Sequence, residues 1–275
     1  MNFLKKFYTF FNSWTGTIIF VLLVIFFFIQ AFIIPSGSMK NTLLVGEMLF
    51  VKKFSYGIPT PRIPWLEIPI LPDFDDDGHL ISGEGPKRGD IVVFRYPKDE
   101  KIHFVKRCVA KGNDRVIYAN KTLYVSMSEG EEFMQQNYPK EKLVRLGGKL
   151  FVKEPYTQKG IHYEEDKNMD EIIEKFALLG QFAMSKTSFK ELGAAYVFDV
   201  PENEYFMMGD NRDFSSDSRF WGSVPYKLVV GQPWFVYMSF DKDYNIRWER
   251  IGRFVDTLEN EEKFIKDDDS EDSLS

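Results

Sequence analysis

Residues 15–34 form a run of 20 residues without a charge. Apolar side chains occupy every side of this run, with no polar stripe. The pattern predicts a helix that meets hydrocarbon all round rather than a protein core on one face. At a rise of about 1.5 Å per residue such a helix covers about 30 Å, the thickness of a bilayer's hydrocarbon core. Lys5 and Lys6 precede it, and Trp14 stands at its edge as an interfacial anchor. By the positive-inside rule the N-terminus is expected in the cytoplasm and everything after Pro35 on the outer face. A cleaved secretory leader has a shorter apolar run and a small-residue cut site, neither of which is present.

Pro35 ends the predicted helix. Beyond it, short apolar or alternating stretches read as strands: residues 43–54, 91–96, 104–110, 116–118, 123–125, 205–208, 232–240 and 245–255. Residues 57–87 are rich in Pro, Gly and Asp and read as a long excursion. Its Ile63, Trp65, Leu66, Ile68 and Ile70 are expected to rest on the membrane surface or the core. Ile172, Phe176, Leu179 and Ala183 recur at helical spacing and predict an amphipathic helix over 169–184. The expected fold is mainly β. A single N-terminal transmembrane helix over 15–34 follows a short cytoplasmic segment over 1–14. It leads into an antiparallel β-sheet domain over 35–125 and 201–256, with a smaller inserted second lobe over 126–200. An acidic, disordered tail is expected over 257–275.

Charge narrows the functional classes. The formal net charge is −6, and residues 259–275 alone hold eight acids and two lysines, also −6. The remainder is balanced and has no basic stripe to neutralise phosphates, which argues against nucleic acid as a partner. The single cysteine, Cys108, excludes an intrachain disulfide and a cysteine-built zinc site. It lies in an apolar run and reads as a small buried hydrophobe.

Three segments can carry chemistry. In the first, Ser36 and Ser38 flank Gly37 directly after the membrane exit. Glycine lets the backbone approach closely and adopt a positive φ, which suits a turn where a hydroxyl and backbone N–H groups converge on one carbonyl. A helix-ending turn with serines capping the backbone fits the same residues. A serine nucleophile also needs a base. His79, His103 and His162 are available, but none has an orienting context, so a Ser-His-Asp triad is left open rather than favoured.

Lys106 is the second candidate. It stands among Phe104, Val105, Cys108 and Val109, and burial there would lower its pKa. A lysine at about 10.4 is only about 0.1% neutral near pH 7.5, whereas one lowered to about 8 is roughly a quarter neutral and serves as a base. An outward, solvated lysine is the alternative on local sequence alone. The third segment runs from Gly209 to Arg219 and holds three aspartates, two arginines and three serines. Asp–Arg pairs would hold its shape while a hydroxyl points inward. A metal site is the competing reading, but the spacing is not that of an EF-hand and the arginines would repel a cation.

Together these segments resemble the type I signal peptidases, the leader peptidases of bacteria. The resemblance is carried by Pro35-Ser36-Gly37-Ser38-Met39, by Lys87-Arg88-Gly89-Asp90 with Ile91 to Phe94, by Val105-Lys106-Arg107, and by Gly209 to Asp213 through Ser218 to Gly222. It implies a membrane-bound serine endopeptidase of the bacterial cytoplasmic membrane that removes signal peptides from exported preproteins with a Ser–Lys dyad and no metal or organic cofactor. It implies Ser38 as nucleophile, Lys106 as general base, and the Ser38 N–H with the Ser36 hydroxyl as oxyanion hole. Ser215 would orient the lysine amine. Asp217 and Arg219 would pair to hold the loop, with Asp210 and Arg212 in a similar role. Phe32, Ile34, Leu49 and Val105 match residues lining the pockets for the substrate's −1 and −3 side chains. Asn41 departs from the pattern, standing where many members have proline. The rivals are a specialised pilus or conjugation processing peptidase of the same chemistry, and a non-catalytic membrane-tethered β-domain.

Overall fold

Only part of the apolar run after Trp14 is helix. The computed structural model describes residues 2–63, 67–73, 76–164 and 169–265. In it, α1 (Asn2–Phe11) and α2 (Trp14–Phe27) are followed directly by a strand, β1 (Ile29–Ile33). The helix expected to reach Ile34 therefore ends at Phe27. A uniformly apolar sequence has no periodicity to separate helix from strand. Here the strand wins because β1 finds a partner along its whole length. It pairs antiparallel with β2 (Glu47–Lys52), from Ile29 opposite Lys52 to Ile33 opposite Met48. With 14 residues, α2 is about 21 Å long, and among the described residues no helix is long and apolar enough to cross a membrane. Ser13 caps α2 by accepting from the Gly16 amide at 3.1 Å. A Cβ on Gly16 would lie 1.8 Å from the Phe10 carbonyl oxygen, so only glycine lets α1 turn back this closely.

The remaining strands are β3 (Gly57–Pro59), β4 (His79–Ser82), β5 (Ile91–Tyr96), β6 (Asp99–Lys111), β7 (Arg115–Ala119), β8 (Thr122–Ser126), β9 (Leu143–Leu146), β10 (Lys149–Lys153), β11 (Ser185–Phe189), β12 (Gly193–Asp199), β13 (Glu204–Met208), β14 (Val224–Pro225) and β15 (Val229–Ser239). The first sheet runs β1-β2-β15-β5-β6-β13-β14 and the second β11-β12-β7-β8-β10-β9, while β3 and β4 pair as a hairpin within the 57–87 excursion. All named strand pairs are antiparallel. The strands β7 and β8, expected with the main β region, pair in the second sheet instead. Among the described residues four further α-helices follow: α3 (Glu131–Asn137), α4 (Met169–Leu178), α5 (Ser218–Trp221) and α6 (Val255–Asn260). The helix expected over 169–184 stops at Leu178, and Gly180 follows at φ +67°, the left-handed conformation that closes helices.

The central strand of the first sheet, β5, is buried on both faces. Ile91 and Val93 enter a cluster with Ile34, Met39, Leu43, Leu49 and Val51. Val92 and Phe94 enter another with Cys108, Met207 and Trp221. Period-two alternation thus feeds two cores from one strand. Cys108 is fully buried, and burial pushes its thiol pKa up, which fits a small hydrophobe rather than a nucleophile.

The C-terminal region departs from expectation. Residues 245–255 are not a strand, because the Asp241 carboxylate accepts from the Asp243 and Asn245 amides and turns the chain. Arg250 then points inward to pair with Glu47. The tail is ordered past 257. Val255, Leu258 and Phe264 are buried in the same cluster as Ile34 and Met39. Residues 266–275 lie outside the described residues, as do Trp65, Leu66 and Asp75 of the excursion.

Candidate active site

The first sheet brings the end of β1 beside the middle of β6. After β1 the chain makes a single 3-10 turn, Gly37–Met39. The Met39 side chain is buried in the core beneath, and the Met39 carbonyl accepts from the Thr42 and Leu43 amides at 3.0 and 2.7 Å. This leaves Ser38 at the turn's crest, only 8% exposed. The left-handed residue of this turn is Asn41, at φ 70°, rather than Gly37. Asparagine tolerates that conformation and proline is barred from it, so the departure from the usual proline has a backbone cause. A Cβ on Gly37 would meet nothing within 4 Å. The expectation that Gly37 supplies a positive φ or a close backbone approach is corrected accordingly.

Lys106 sits opposite Val92 on β5 and is 4% exposed. Its Nζ donates to Ser38 Oγ at 2.7 Å and to the Val105 carbonyl at 3.1 Å, and lies 5.1 Å from the centre of the Phe104 ring. Burial lowers its pKa to about 8, while the charges of Asp217 and Asp210 oppose the shift. The amine is therefore neutral to a useful extent near neutral pH.

The Gly209 to Arg219 loop wraps this pair. The Asn211 amide donates to the Ser38 carbonyl at 3.2 Å. A Cβ on Gly209 would lie 2.5 Å from that same carbonyl oxygen and 2.4 Å from Ser215 Oγ, so the loop can pass here only as glycine. The carboxylate of Asp217 caps α5 and holds Arg219 at 2.8 and 2.9 Å, all of it buried. Asp210 does not pair with Arg212. Its carboxylate accepts from Arg107 Nε and Nη2 at 2.7 and 2.6 Å and from Thr42 Oγ1 at 2.6 Å. Burial raises the Asp210 pKa, but these partners outweigh it and hold the carboxyl below its usual range. Arg212 is fully buried, and its guanidinium has no hydrogen-bond partner among the described residues; it lies 6.0 Å from the Tyr163 ring. Asp213 faces Lys121 at 3.0 Å. The loop's three carboxylates thus each meet a cation instead of converging as metal ligands.

Two further expectations are corrected. Ser215 Oγ is buried and has no hydrogen-bond partner among the described residues, so it does not contact the lysine amine. It packs against Gly209 instead. A cleft of about 570 Å³ opens over Ser38 and Lys106, lined by Phe32, Ile34 and Val105 with Ser36, His103 and Phe214. Leu49 does not line it: it is fully buried on β2 opposite Phe32, in the core below. Ser36 Oγ stands 3.4 Å from Ser38 Oγ. No histidine bonds to Ser38. His79 stacks on Tyr226, His162 contacts Asn41 at 3.2 Å, and His103 packs on Phe32 and lies 3.8 Å from Glu67.

Sequence reasoning missed Gly209, Thr42 and the partner choice of Arg107. The strand's alternation held the signal for Arg107: next to an inward Lys106, it must serve the opposite side.

Residues 8–238 match the family described as "Signal peptidase, peptidase S26". The chain is 47% identical to the signal peptidase I of Helicobacter pylori strain J99 over 97% of this chain and 98% of that one. It is 34% identical to the signal peptidase I of Pseudomonas aeruginosa, over 81% of this chain and 70% of that one. A crystal structure of a signal peptidase I from Enterococcus faecalis aligns with a TM-score of 0.28 and 24% identity, over 54% of this chain and 97% of that one.

Proposed function

Since the chain belongs to the signal peptidase family, peptidase S26, and is a serine endopeptidase that removes signal peptides, we propose that Ser38 and Lys106 are its catalytic dyad. The observation that carries this is the 2.7 Å contact between Lys106 Nζ and Ser38 Oγ, made by a buried lysine with a lowered pKa. Neutral Nζ accepts the Ser38 hydroxyl proton as Oγ attacks the scissile carbonyl. The Ser38 N–H and the Ser36 hydroxyl stabilise the resulting oxyanion. The protonated lysine passes its proton to the departing amine, leaving an acyl-enzyme. Lys106 then takes a proton from water, whose hydroxide releases Ser38 and the signal peptide's new carboxylate.

Binding follows from two edges that are unpaired among the described residues. The strand β1 ends the first sheet, and β6 pairs with β13 only from Arg107 onward. An extended substrate segment adds as a strand between them. Phe32, Ile34 and Val105 form the walls for its small −1 and −3 side chains. Asp217 with Arg219, and Asp210 with Arg107, hold the loop; Ser215 and Arg212 support it by packing.

A lipid bilayer is the second partner in this reading. Along α2 the side chains of Ile18, Ile19, Phe20, Val21 and Leu23 are 41 to 55% exposed, which supports an apolar surround. The N-terminus lies in the cytoplasm and the cleft faces the outer side of a bacterial cytoplasmic membrane. Cleavage of a preprotein by the full chain and by its Ser38→Ala and Lys106→Ala variants tests the dyad. Each variant is expected to abolish cleavage, and normal processing by either one rules it out.

A further inference from the structure

Arg107 meets two carboxylates, not one. Besides its bidentate pair with Asp210, its Nη1 lies 2.9 Å from Glu259 Oε2 and donates to the Gly89 carbonyl at 2.6 Å. The Arg107 and Asp210 side chains are wholly buried, and that of Glu259 is 15% exposed. Glu259 comes from α6, beyond residue 238 where the family match ends. The side chains around it hold it in place. Val255 and Leu258 of the same helix, and Phe264 just after it, are buried against Ile34, Met39 and Leu43, the residues that flank Ser38. Arg250 ties the Phe264 carbonyl at 3.1 Å to the Thr42 carbonyl at 3.0 Å.

We infer that Glu259 is a positioning residue for the cleavage reaction, acting through Arg107 on Asp210 and on the strand that carries Lys106. This rests on the Ser38–Lys106 reading. Arg107 adjoins Lys106 in sequence, and Asp210 adjoins Gly209 and Asn211, which both touch the Ser38 carbonyl side. The guanidinium is held by hydrogen bonds to Asp210 on one side and by ion-pair contact with Glu259 on the other, where burial raises the Glu259 pKa and the Arg107 charge opposes that rise. With one carboxylate lost it is free to swing and carries an unbalanced charge. The groups facing Lys106 are Asp217 and Asp210, with Arg107 next in the strand. Those facing Glu259 are Arg107, Asp210 and Asp256, and the groove beside it also holds Lys52, Arg88 and Asp90. Removing the Glu259 charge makes this surround more positive and favours neutral Lys106.

The test is steady-state cleavage of a preprotein across pH 6–10 by full-length protein in detergent, for Glu259→Gln, Glu259→Asp and Ser38→Ala. Glu259→Gln is expected to lower kcat about tenfold to a hundredfold with KM little changed. It is also expected to move the acid limb of the rate profile to lower pH, while Glu259→Asp restores most of the rate. A wild-type rate and profile in Glu259→Gln overturns the inference. So does a loss matched by unfolded protein with the acid limb unmoved, since that is a purely structural role. Residual cleavage by Ser38→Ala would instead reject the dyad itself, a separate outcome.

Discussion

Lys106 and Arg107 are consecutive residues of β6 that serve opposite sides of the strand in opposite electrical states. Lys106 is buried beside a hydroxyl and a ring, and its pKa falls to about 8. Arg107, equally buried, keeps its charge because two carboxylates and a carbonyl surround it. Alternation of a strand thus separates a removable proton from a permanent charge within one residue step. The carboxylate of Asp210 balances the Arg107 charge and at the same time raises the Lys106 pKa, so it is burial that keeps the amine's pKa low.

The lowered pKa sets the pH response of cleavage. Only neutral Lys106 can accept the Ser38 proton, so activity rises with pH through the amine's own titration. With that pKa near 8, kcat/KM should climb about tenfold per unit below about pH 7 and level off above about pH 9. Initial rates on a preprotein across pH 5.5–9.5 read this directly. A rate that stays flat from pH 6 to 9 is incompatible with Lys106 as the base.

The same burial costs stability. The native pKa lies below the unfolded value of about 10.4, so between about pH 8 and 10.4 the unfolded chain binds more protons and stability increases with pH. Below about pH 8 the cost of holding the charged amine is fully present, on the order of 3 kcal/mol. Lys106→Met fills the space without charge. It should be inactive yet more stable at pH 7, with the gain shrinking as pH approaches 10.5. Denaturant melts of the two proteins at pH 7 and 10 decide it. A variant less stable than wild type at pH 7 contradicts the burial argument.

Much of this site was legible in the sequence, and the parts that were not share a cause. Ser38, Lys106 and the Asp217–Arg219 pair were named by the family resemblance rather than by their local sequence, and β5 falls where its apolar run does, at Ile91–Tyr96. The end of the apolar run was illegible because twenty uncharged, mostly apolar residues contain no period, and what ends the helix is β2, farther along the chain. Asp210 was expected to support the loop, but its partner could not be read, because a buried carboxylate takes whichever cation the sheet delivers; the sheet delivered Arg107. Leu49 alternates correctly with its neighbours, but which side of β2 faces the cleft depends on β1 and β15 on its flanks. The acidic composition after residue 257 hid the apolar Leu258 and Phe264, which are enough to dock that segment.

Gly209 gives a sharper test of how closely the loop grips the nucleophile. Its backbone is not left-handed, so alanine there is barred only by what the new methyl would touch. Those atoms are Ser215 Oγ at 2.4 Å and the Ser38 carbonyl oxygen at 2.5 Å. A serine hydroxyl can turn away, but the Ser38 carbonyl cannot move without carrying the nucleophile with it. Gly209→Ala should therefore lower kcat about a hundredfold and stability by about 1–3 kcal/mol, with KM nearly unchanged because the cleft walls are untouched. Gly37→Ala is the matched control, since nothing lies within 4 Å of its added methyl. It should fold with wild-type stability and keep the wild-type kcat. Equal kcat for Gly209→Ala and wild type would mean that the loop does not fix Ser38 through this contact.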